Sequence, residues 1–299
     1  MPTLLLIALA AFAVPQQPSA PLAAAKSEIE RLIALSGAEV SVVYRPLNAA
    51  SGGEILIGPD VVYHAASTMK VPVMLELFRQ VDAKTISLDD TVLVSNVFHS
   101  IVDGSEFTLG TSEEVDGAAH RALGSRMSYR DLCEAMITIS SNLATNVLME
   151  HLGVEKIRAT VTRLKAPGMK VLRGVEDQKA FDKGMNNETT ARALMTLMTA
   201  IGNGTAASPS SSAEMQAILK RQKYNDGIPA GVPGVTVGHK TGTITRIHHD
   251  AAIVYASQPY VLVVMTRGMA DEKKSDLLIA EISKVVYNAV RTGSAGFQR

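Results

Sequence analysis

Strand-like segments lie near both ends of this chain, and helical segments occupy most of the stretch between them. Short runs rich in β-branched residues occur at 39–47, 53–59, 235–243, 250–256 and 260–267. Apolar residues with helical spacing dominate from residue 67 to about residue 203. The simplest architecture is one antiparallel sheet built from both chain ends, with the middle of the chain packed as a separate helical layer.

This pattern predicts an α/β fold of the α+β type with two lobes. Residues 26–66 and 204–299 would form an α/β lobe, in which helices at 26–35 and from residue 271 onward cover the sheet. Residues 67–203 would form the helical lobe, with helices at 67–81, 128–151, 154–165 and 189–202. The 299 residues are 46% hydrophobic, which is enough to build both lobes. A cleft between them is the natural place for a site.

Charge and the N-terminal composition restrict the partners and the location. The 29 basic and 29 acidic residues balance without a basic stripe, so nucleic acid is not an expected partner. Residues 4–14 form an apolar run that suits a signal-peptide core and is too short to span a bilayer. We therefore predict a signal peptide at 1–25, cleaved near residues 20–25, and export to the periplasm or the medium. No Lys or Arg precedes the run, so an uncleaved anchor is the alternative.

The remaining special residues favour neither a cofactor nor a metal. Cys133 is the single cysteine and lies in an apolar helical stretch, where a buried thiol is inert. His248, His249 and Asp250 are adjacent but have no complementary ligand cluster nearby, so we predict no metal site. The sequence contains no nucleotide-binding loop, and we predict no cofactor.

Ser67 and Lys70 lie on one face of a predicted helix whose other members are apolar. A buried ammonium group needs partners or a lowered pKa. A neutral lysine beside a serine is a general base beside a nucleophile. The alternative is a chance spacing in which Ser67 is only a helix N-cap.

Two further polar clusters interrupt apolar segments. Ser140, Ser141 and Asn142 break a long apolar helix, which suits either a polar site facing a cleft or a fortuitous helix break. Lys240 lies in the last part of the predicted strand at 235–243, two residues before Gly242, where a missing side chain lets another backbone approach closely. The alternative for Lys240 is an exposed lysine on an edge strand.

Taken in chain order, these clusters resemble the Ser-x-x-Lys, Ser-Asp-Asn and Lys-Thr-Gly motifs of class A β-lactamases and penicillin-binding proteins. The segments RMSYRDLCEAMITISSNLATNVLM and GIPAGVPGVTVGHKTGT resemble the approaches to the second and third motifs. The resemblance extends over residues 26–292 and implies the two-lobed serine β-lactamase-like fold.

The resemblance also implies roles for individual residues. Ser67 would be the acylated nucleophile, with Lys70 as its proton-relay partner. Ser140 would pass the proton to the leaving nitrogen, and Asn142 would position Lys70 and the substrate amide. The third motif and the residue after it would form the substrate-binding strand, through Lys240, Thr241, Gly242 and Thr243. Of these, Lys240, Thr241 and Thr243 would hold a substrate carboxylate. The amides of Ser67 and Thr243 would stabilise the oxyanion.

The chain departs from the family pattern in three places. The middle residue of the second motif is Ser141 instead of aspartate, and the stretch at 92–125 is longer than usual. The third departure concerns the loop that carries Glu-x-x-Leu-Asn in efficient family members. Glu176 occupies the position of the deacylation base, but Lys179 and Ala180 replace Leu-Asn. Glu176 is thus the predicted base, with Asp177 as a weaker candidate and a plain surface carboxylate as the alternative.

The resemblance implies a monomeric serine hydrolase that opens a β-lactam amide through a Ser67 acyl-enzyme. Its partner would be a small-molecule β-lactam or a D-alanyl peptide. One rival is a D-Ala-D-Ala peptidase, or another ester or peptide hydrolase, on the same fold. The other is a sensor that acylates once and deacylates slowly. Arg246, which follows the third motif, is either a helper for the substrate carboxylate or a solvated turn residue.

Overall fold

The computed structural model describes residues 19–48 and 53–295, and a five-stranded antiparallel sheet lies at its centre. The strands are β1 (Glu39–Pro46), β2 (Ile55–Ile57), β3 (Tyr63–His64), β4 (Thr91–Leu93), β5 (Phe98–His99), β6 (Glu106–Phe107), β7 (Arg126–Ser128), β8 (Glu188–Thr189), β9 (Val237–Ile244), β10 (Ile247–Val254) and β11 (Tyr260–Arg267). The central sheet has the order β2-β1-β11-β10-β9, so the first and last strands of the chain pair side by side. The predicted antiparallel sheet from both chain ends is confirmed.

Helices flank the sheet and fill the middle of the chain. They are α1 (Ala20–Ser36), α2 (Lys70–Asp82), α3 (Glu113–Asp116), α4 (Ala118–Arg121), α5 (Tyr129–Thr138), α6 (Asn142–Leu152), α7 (Val154–Arg163), α8 (Gln178–Asp182), α9 (Ala191–Gly202), α10 (Pro209–Leu219) and α11 (Glu272–Ala295). Short 3-10 turns occur at Ala66–Met69 and Ile228–Gly231. Within the described ranges, no helix is both long and apolar enough to cross a membrane.

Side-chain alternation along the strands divides the apolar interior into two cores. In β11, Val261 and Val263 face the larger core with the central helices, whereas Leu262 and Val264 face the smaller core under α1 and α11. Successive residues of a strand point to opposite faces, so a strand covered on both sides reads as a continuous apolar run. This is why the segment YVLVVM contains no polar residue.

Several predicted boundaries were wrong, each for a local reason. The first helix begins at Ala20 instead of residue 26, with Leu22 and Ala25 buried against the smaller core. The helix predicted at 128–151 is two helices, α5 and α6, separated at 139–141. The stretch 92–125, which lies outside the predicted helices, contains the short helices α3 and α4. Residues 1–18, which carry the apolar run of the predicted signal peptide, lie outside the described part of the chain.

Candidate active site

Ser67 lies in the 3-10 turn that leads into α2, with the strand β9 alongside. Thr68 closes the turn through its hydroxyl, which donates to the Ala65 carbonyl oxygen at 2.5 Å. A Cβ atom at Gly242 would lie 3.1 Å from the Ser67 nitrogen and 3.0 Å from the Thr68 nitrogen. A side chain at this position would crowd both backbone nitrogens, so the contact is the close backbone approach predicted for Gly242. The turn therefore presents Ser67, partly exposed, at the edge of β9.

Lys70, the first residue of α2, is completely buried. Its Nζ donates to the Ser140 carbonyl oxygen at 2.5 Å, to Ser140 Oγ at 3.0 Å and to Asn142 Oδ1 at 2.8 Å. Burial, followed by the positive charge of Lys240, holds the pKa of Lys70 well below its usual range. The lysine thus has the lowered proton affinity that a general base requires.

The second motif forms a strained turn between α5 and α6. Ser140 has a left-handed backbone with φ of 59°, an uncommon conformation for a residue with a side chain. Ser141 then caps α6, because its Oγ accepts from the Ala144 nitrogen at 3.1 Å. This break in the apolar helix lets both Ser140 and Asn142 reach Lys70.

Lys240 on β9 supplies a second buried cation. Its Nζ donates to Ser140 Oγ at 3.0 Å and to the Thr241 carbonyl oxygen at 2.8 Å. Burial lowers the pKa of Lys240 to about 7, against a smaller opposing effect of Asp250. Ser140 Oγ therefore accepts hydrogen bonds from both lysines, and its own proton is left to donate elsewhere. The predicted alternative, an exposed lysine on an edge strand, is wrong.

Glu176 reaches the same network from the loop at 170–188. Its Oε1 accepts a hydrogen bond from Asn142 Nδ2 at 2.7 Å, although the residue is exposed. Asn146 holds the loop at this height, since its side chain accepts from the Val175 nitrogen at 2.7 Å and donates to the Val175 carbonyl oxygen at 3.0 Å. Asn142 thus connects Lys70 to Glu176 through the two ends of one amide.

Asp177, the weaker candidate for the base, is buried and engaged in structural contacts. Its carboxylate accepts from Ser100 Oγ at 2.8 Å and from the Ile101 nitrogen at 3.0 Å. The same carboxylate caps α8 through the Ala180 nitrogen. Nearby, Lys179 forms an exposed ion pair with Asp103 at 2.8 Å. Two residues of the loop at 170–188, Asp177 and Lys179, therefore attach it to the stretch at 98–107.

Two cavities meet at Ser67, Asn142 and Thr243. The first, of about 270 Å³, extends past Ser140 and Thr241. The second, of about 380 Å³, extends past Glu176 and the loop at 170–188. Ser67 therefore borders a space on the Lys240 side, which suits a bound substrate, and a space on the Glu176 side. The predicted nucleophile, base and substrate-binding strand all lie around this junction.

The first cavity also carries negative charge that the sequence did not indicate. Asp226, Glu272 and Asp276 line it together with His248. His248 Nε2 lies 3.0 Å from Asp276 Oδ1, and burial raises the pKa of Asp276. Arg246 does not reach this space, since it lies in the turn between β9 and β10 and donates to the Gly268 carbonyl oxygen at 2.8 Å.

The described residues contain no cluster of His, Cys, Asp and Glu suited to a metal ion. His249 is buried and contacts the His64 carbonyl oxygen through Nε2 at 3.0 Å. Cys133 is buried in the larger core, where desolvation raises the pKa of its thiol. Neither residue borders either cavity.

The sequence and the fold of this chain are similar to those of known proteins. The profile of the beta-lactamase enzyme family matches residues 24–290. A beta-lactamase of Bacillus licheniformis is 28% identical over 253 residues, which cover 82% of this chain and 77% of the relative. A solved mutant of PBP-A, described as an acyl-enzyme complex with penicillin-G, superposes with a TM-score of 0.78 at 26% identity and covers 94% of this chain and 100% of its own.

A class A beta-lactamase described as the last common ancestor of Gram-negative bacteria has the same fold. It superposes with a TM-score of 0.75 at 24% identity and covers 89% of this chain and 99% of its own. The two-lobed arrangement, with an antiparallel sheet and a helical middle, is therefore shared with solved class A structures.

Proposed function

We propose that this chain, which belongs to the beta-lactamase enzyme family, is a serine hydrolase. It would open β-lactam amides through an acyl-enzyme on Ser67. The observation that carries the proposal is the continuous network from Lys240 through Ser140, Lys70 and Asn142 to Glu176. A nucleophile, a base of lowered proton affinity, a proton donor and a carboxylate lie around one junction of two cavities.

Acylation would begin at the lowered-pKa lysine. Neutral Lys70 takes the proton of Ser67 Oγ as that oxygen attacks the lactam carbonyl carbon. The negative charge that develops on the carbonyl oxygen is stabilised by the amides of Ser67 and Thr243, since donors aimed at developing charge act only in the transition state. The Gly242 approach supports this arrangement, because it brings β9 against the Ser67 nitrogen.

Ring opening would then use Ser140. As the carbon–nitrogen bond breaks, Ser140 Oγ gives its proton to the leaving nitrogen, which stays attached to the opened substrate. Lys70 returns the proton it took from Ser67 to Ser140, along the 3.0 Å contact between Nζ and Oγ. The proton count is then closed, and the product of this stage is a Ser67 ester.

Deacylation would use Glu176. Its carboxylate takes a proton from a water molecule, whose oxygen attacks the ester carbon. As the bond between that carbon and Ser67 Oγ breaks, Glu176 gives the proton to Ser67 Oγ, and the acid product leaves. The cavity on the Glu176 side gives this water a place to bind. Lys179 and Ala180 stand where the family pattern has Leu-Asn, so the positioning of that water differs from that in efficient members.

The test is multiple turnover of a chromogenic cephalosporin supplied in large excess over protein that begins near residue 20. We expect many product molecules per chain from the wild type and none from Ser67→Ala. Absence of both colour and covalent labelling in a folded wild type would refute the proposal.

A second candidate function rests on the same departure from Leu-Asn. If water is poorly positioned, the ester persists, and the chain acts as a penicillin-binding sensor or as a peptidase for D-alanyl peptides. One equivalent of product followed by arrest would favour the sensor. Release of D-alanine from a D-Ala-D-Ala peptide without turnover of the cephalosporin would favour the peptidase.

We further propose that the protein is exported, because residues 4–14 form an apolar run that suits the core of a signal peptide.

A further inference from the structure

Two departures from the family pattern meet in space next to Lys70. The second motif carries Ser141 where the family has aspartate, and the stretch before it, at 92–125, is longer than usual. This stretch at 92–125, called the added stretch below, contains α3, whose last residue is Asp116. Asp116 is 1% exposed, so a carboxylate from this stretch lies in the interior.

The Asp116 carboxylate contacts the second motif on both sides of Asn142. Its Oδ1 accepts from Ser141 Oγ at 2.7 Å and from the Leu143 nitrogen at 3.1 Å. The neighbouring Gly117 has φ of 54°, in the left-handed region that favours glycine, so a glycine there lets the chain turn directly after Asp116. The contact is thus built into the packing of α3 against α5 and α6.

These bonds hold a turn that would otherwise be unfavourable. Ser140, with φ of 59°, precedes the capping residue Ser141. The Asp116 carboxylate satisfies an unpaired amide of the first turn of α6, where a negative charge is also favoured by the helix dipole. Ser140 and Asn142, the two partners of Lys70, stand on this turn.

We propose that Asp116 is a positioning residue for acylation, which supplies from the added stretch the carboxylate that the second motif lacks. It acts through Ser141 and Leu143, which fix Ser140 and Asn142 against Lys70, and through its charge. The inference rests on the proposed acylation of Ser67 and extends it to a residue outside the three motifs.

The charge of Asp116 gives a readout that packing alone would not move. The charged groups that face Lys70 are Lys240 on β9, Glu176 in the loop at 170–188 and Asp116 on α3. The two carboxylates raise the pKa of Lys70, against the larger lowering by burial and Lys240. Removing the Asp116 charge lowers the pKa of Lys70 further, so neutral Lys70 persists to lower pH. The acidic limb of the acylation rate should then shift to lower pH.

The experiment measures the rate of labelling by a fluorescent penicillin between pH 4.5 and 9 for four variants, with the wild type as reference. We expect Asp116→Asn to acylate about tenfold more slowly at its plateau, the scale of one hydrogen bond to a charged group. Its acidic limb should lie at lower pH than that of the wild type. Ser141→Ala, which keeps the charge, should lose rate but keep the position of the limb.

The two remaining variants are a rescue and a control. Asp116→Asn combined with Ser141→Asp moves the carboxylate into the motif and should restore the position of the limb. Glu114→Gln removes a charge from the exposed face of the same helix and should leave both rate and limb unchanged. The proposal is overturned if Asp116→Asn has the wild-type rate and limb, or if the double variant is no closer to wild type than Asp116→Asn alone.

A second measurement separates this inference from the proposed function. The titration of Lys70 can be followed by NMR of lysine labelled with ¹³C at Cε, without any substrate. We expect a lower pKa of Lys70 in Asp116→Asn than in the wild type, and an unchanged pKa would contradict the inference. If Asp116→Asn does not fold, Asp116→Ser, which also removes the charge, takes its place in both measurements. Lack of labelling of the wild type would instead refute the acylation itself.

Discussion

At the scale of single residues, two buried lysines define the electrostatics of this site. Both are completely buried, and burial lowers the pKa of each. The pKa of Lys240 is lowered to about 7, so this residue changes charge near neutral pH. A lysine that must hold a substrate carboxylate is effective only while it is protonated.

We therefore predict that selectivity for anionic substrates falls as pH rises through 7. The quantity to measure is the ratio of acylation rates for a penicillin and its neutral methyl ester, because the ratio cancels the titration of Lys70. The ratio should fall about tenfold as Lys240 loses its proton, which is the scale of one hydrogen bond between charged groups. The midpoint of the fall should lie at the pKa of Lys240 in the free enzyme. Lys240→Met should give a low ratio that does not vary with pH. A constant ratio in the wild type would contradict the assigned role.

Glu176 is the residue on which turnover should depend. We predict that Glu176→Gln acylates at a rate within about threefold of wild type but deacylates at least about a hundredfold more slowly, as expected for loss of a general base. The amide keeps an oxygen acceptor for Asn142 Nδ2. Stopped-flow acylation and decay of the labelled protein give the two rates separately. Equal slowing of both steps would show that Glu176 acts before the ester forms.

At the scale of elements, the loop at 170–188 is held by contacts of unequal strength. Asp177 is 1% exposed and binds Ser100 and the Ile101 nitrogen, whereas the side chains of Lys179 and Asp103 are 54% and 47% exposed. Breaking buried hydrogen bonds costs more free energy of unfolding than breaking a solvated ion pair. The position of Glu176 should thus depend more on Asp177 than on Lys179.

We predict that Asp177→Asn lowers the free energy of unfolding by about 1–3 kcal/mol, because it leaves buried donors poorly paired. Lys179→Ala, at the exposed contact between the same two segments, should change it by less than about 1 kcal/mol. Urea denaturation gives both values. A larger effect of Lys179→Ala would contradict the assignment of the buried contact as the stronger one.

The order of elements and the three motifs could be predicted from the sequence, but the exact boundaries of the helices and the contacts between elements could not. Alternating and helical apolar patterns predicted the sheet from both ends and the helical middle, since burial imposes these periods. The split of the helix at 128–151 depends on Ser141 acting as a cap, and helix propensity alone does not reveal which serine caps. The two departures at Ser141 and 92–125 were visible separately. Only the packing of α3 shows that Asp116, from the stretch at 92–125, contacts Ser141 of the second motif.

At the scale of the whole molecule, the two cores separate stability from chemistry. The smaller core joins α1 and α11 to the outer face of the sheet, and Ile29 is completely buried there. Ser67 lies on the opposite face, where the turn at Ala66–Met69 meets β9. From the side of the smaller core, the N-terminal part of α11 reaches the first cavity through Glu272 and Asp276. Changes on α1, which lines neither cavity, should therefore affect folding without altering the geometry around Ser67.

We predict that Ile29→Ala lowers the free energy of unfolding by about 2–4 kcal/mol, the cost of a cavity in a packed core. Leu35→Ala on the same helix should change it by less than about 0.5 kcal/mol, because Leu35 is 72% exposed. Acylation per folded chain should stay at the wild-type rate in both. Thermal unfolding together with active-site labelling measures the two properties, and equal destabilisation by the two changes would refute the assigned core.

Peptide mapping by mass spectrometry can show whether a β-lactam acylates Ser67. Glu176→Gln would be mixed with benzylpenicillin, quenched in acid, digested and analysed beside Glu176→Gln/Ser67→Ala. We expect one adduct per chain on the peptide that contains Ser67. The adduct should have the mass of the whole penicillin, because the leaving nitrogen stays attached, and it should be absent when Ser67 is replaced. No adduct, or an adduct on another residue, would rule out Ser67 as the acylated nucleophile.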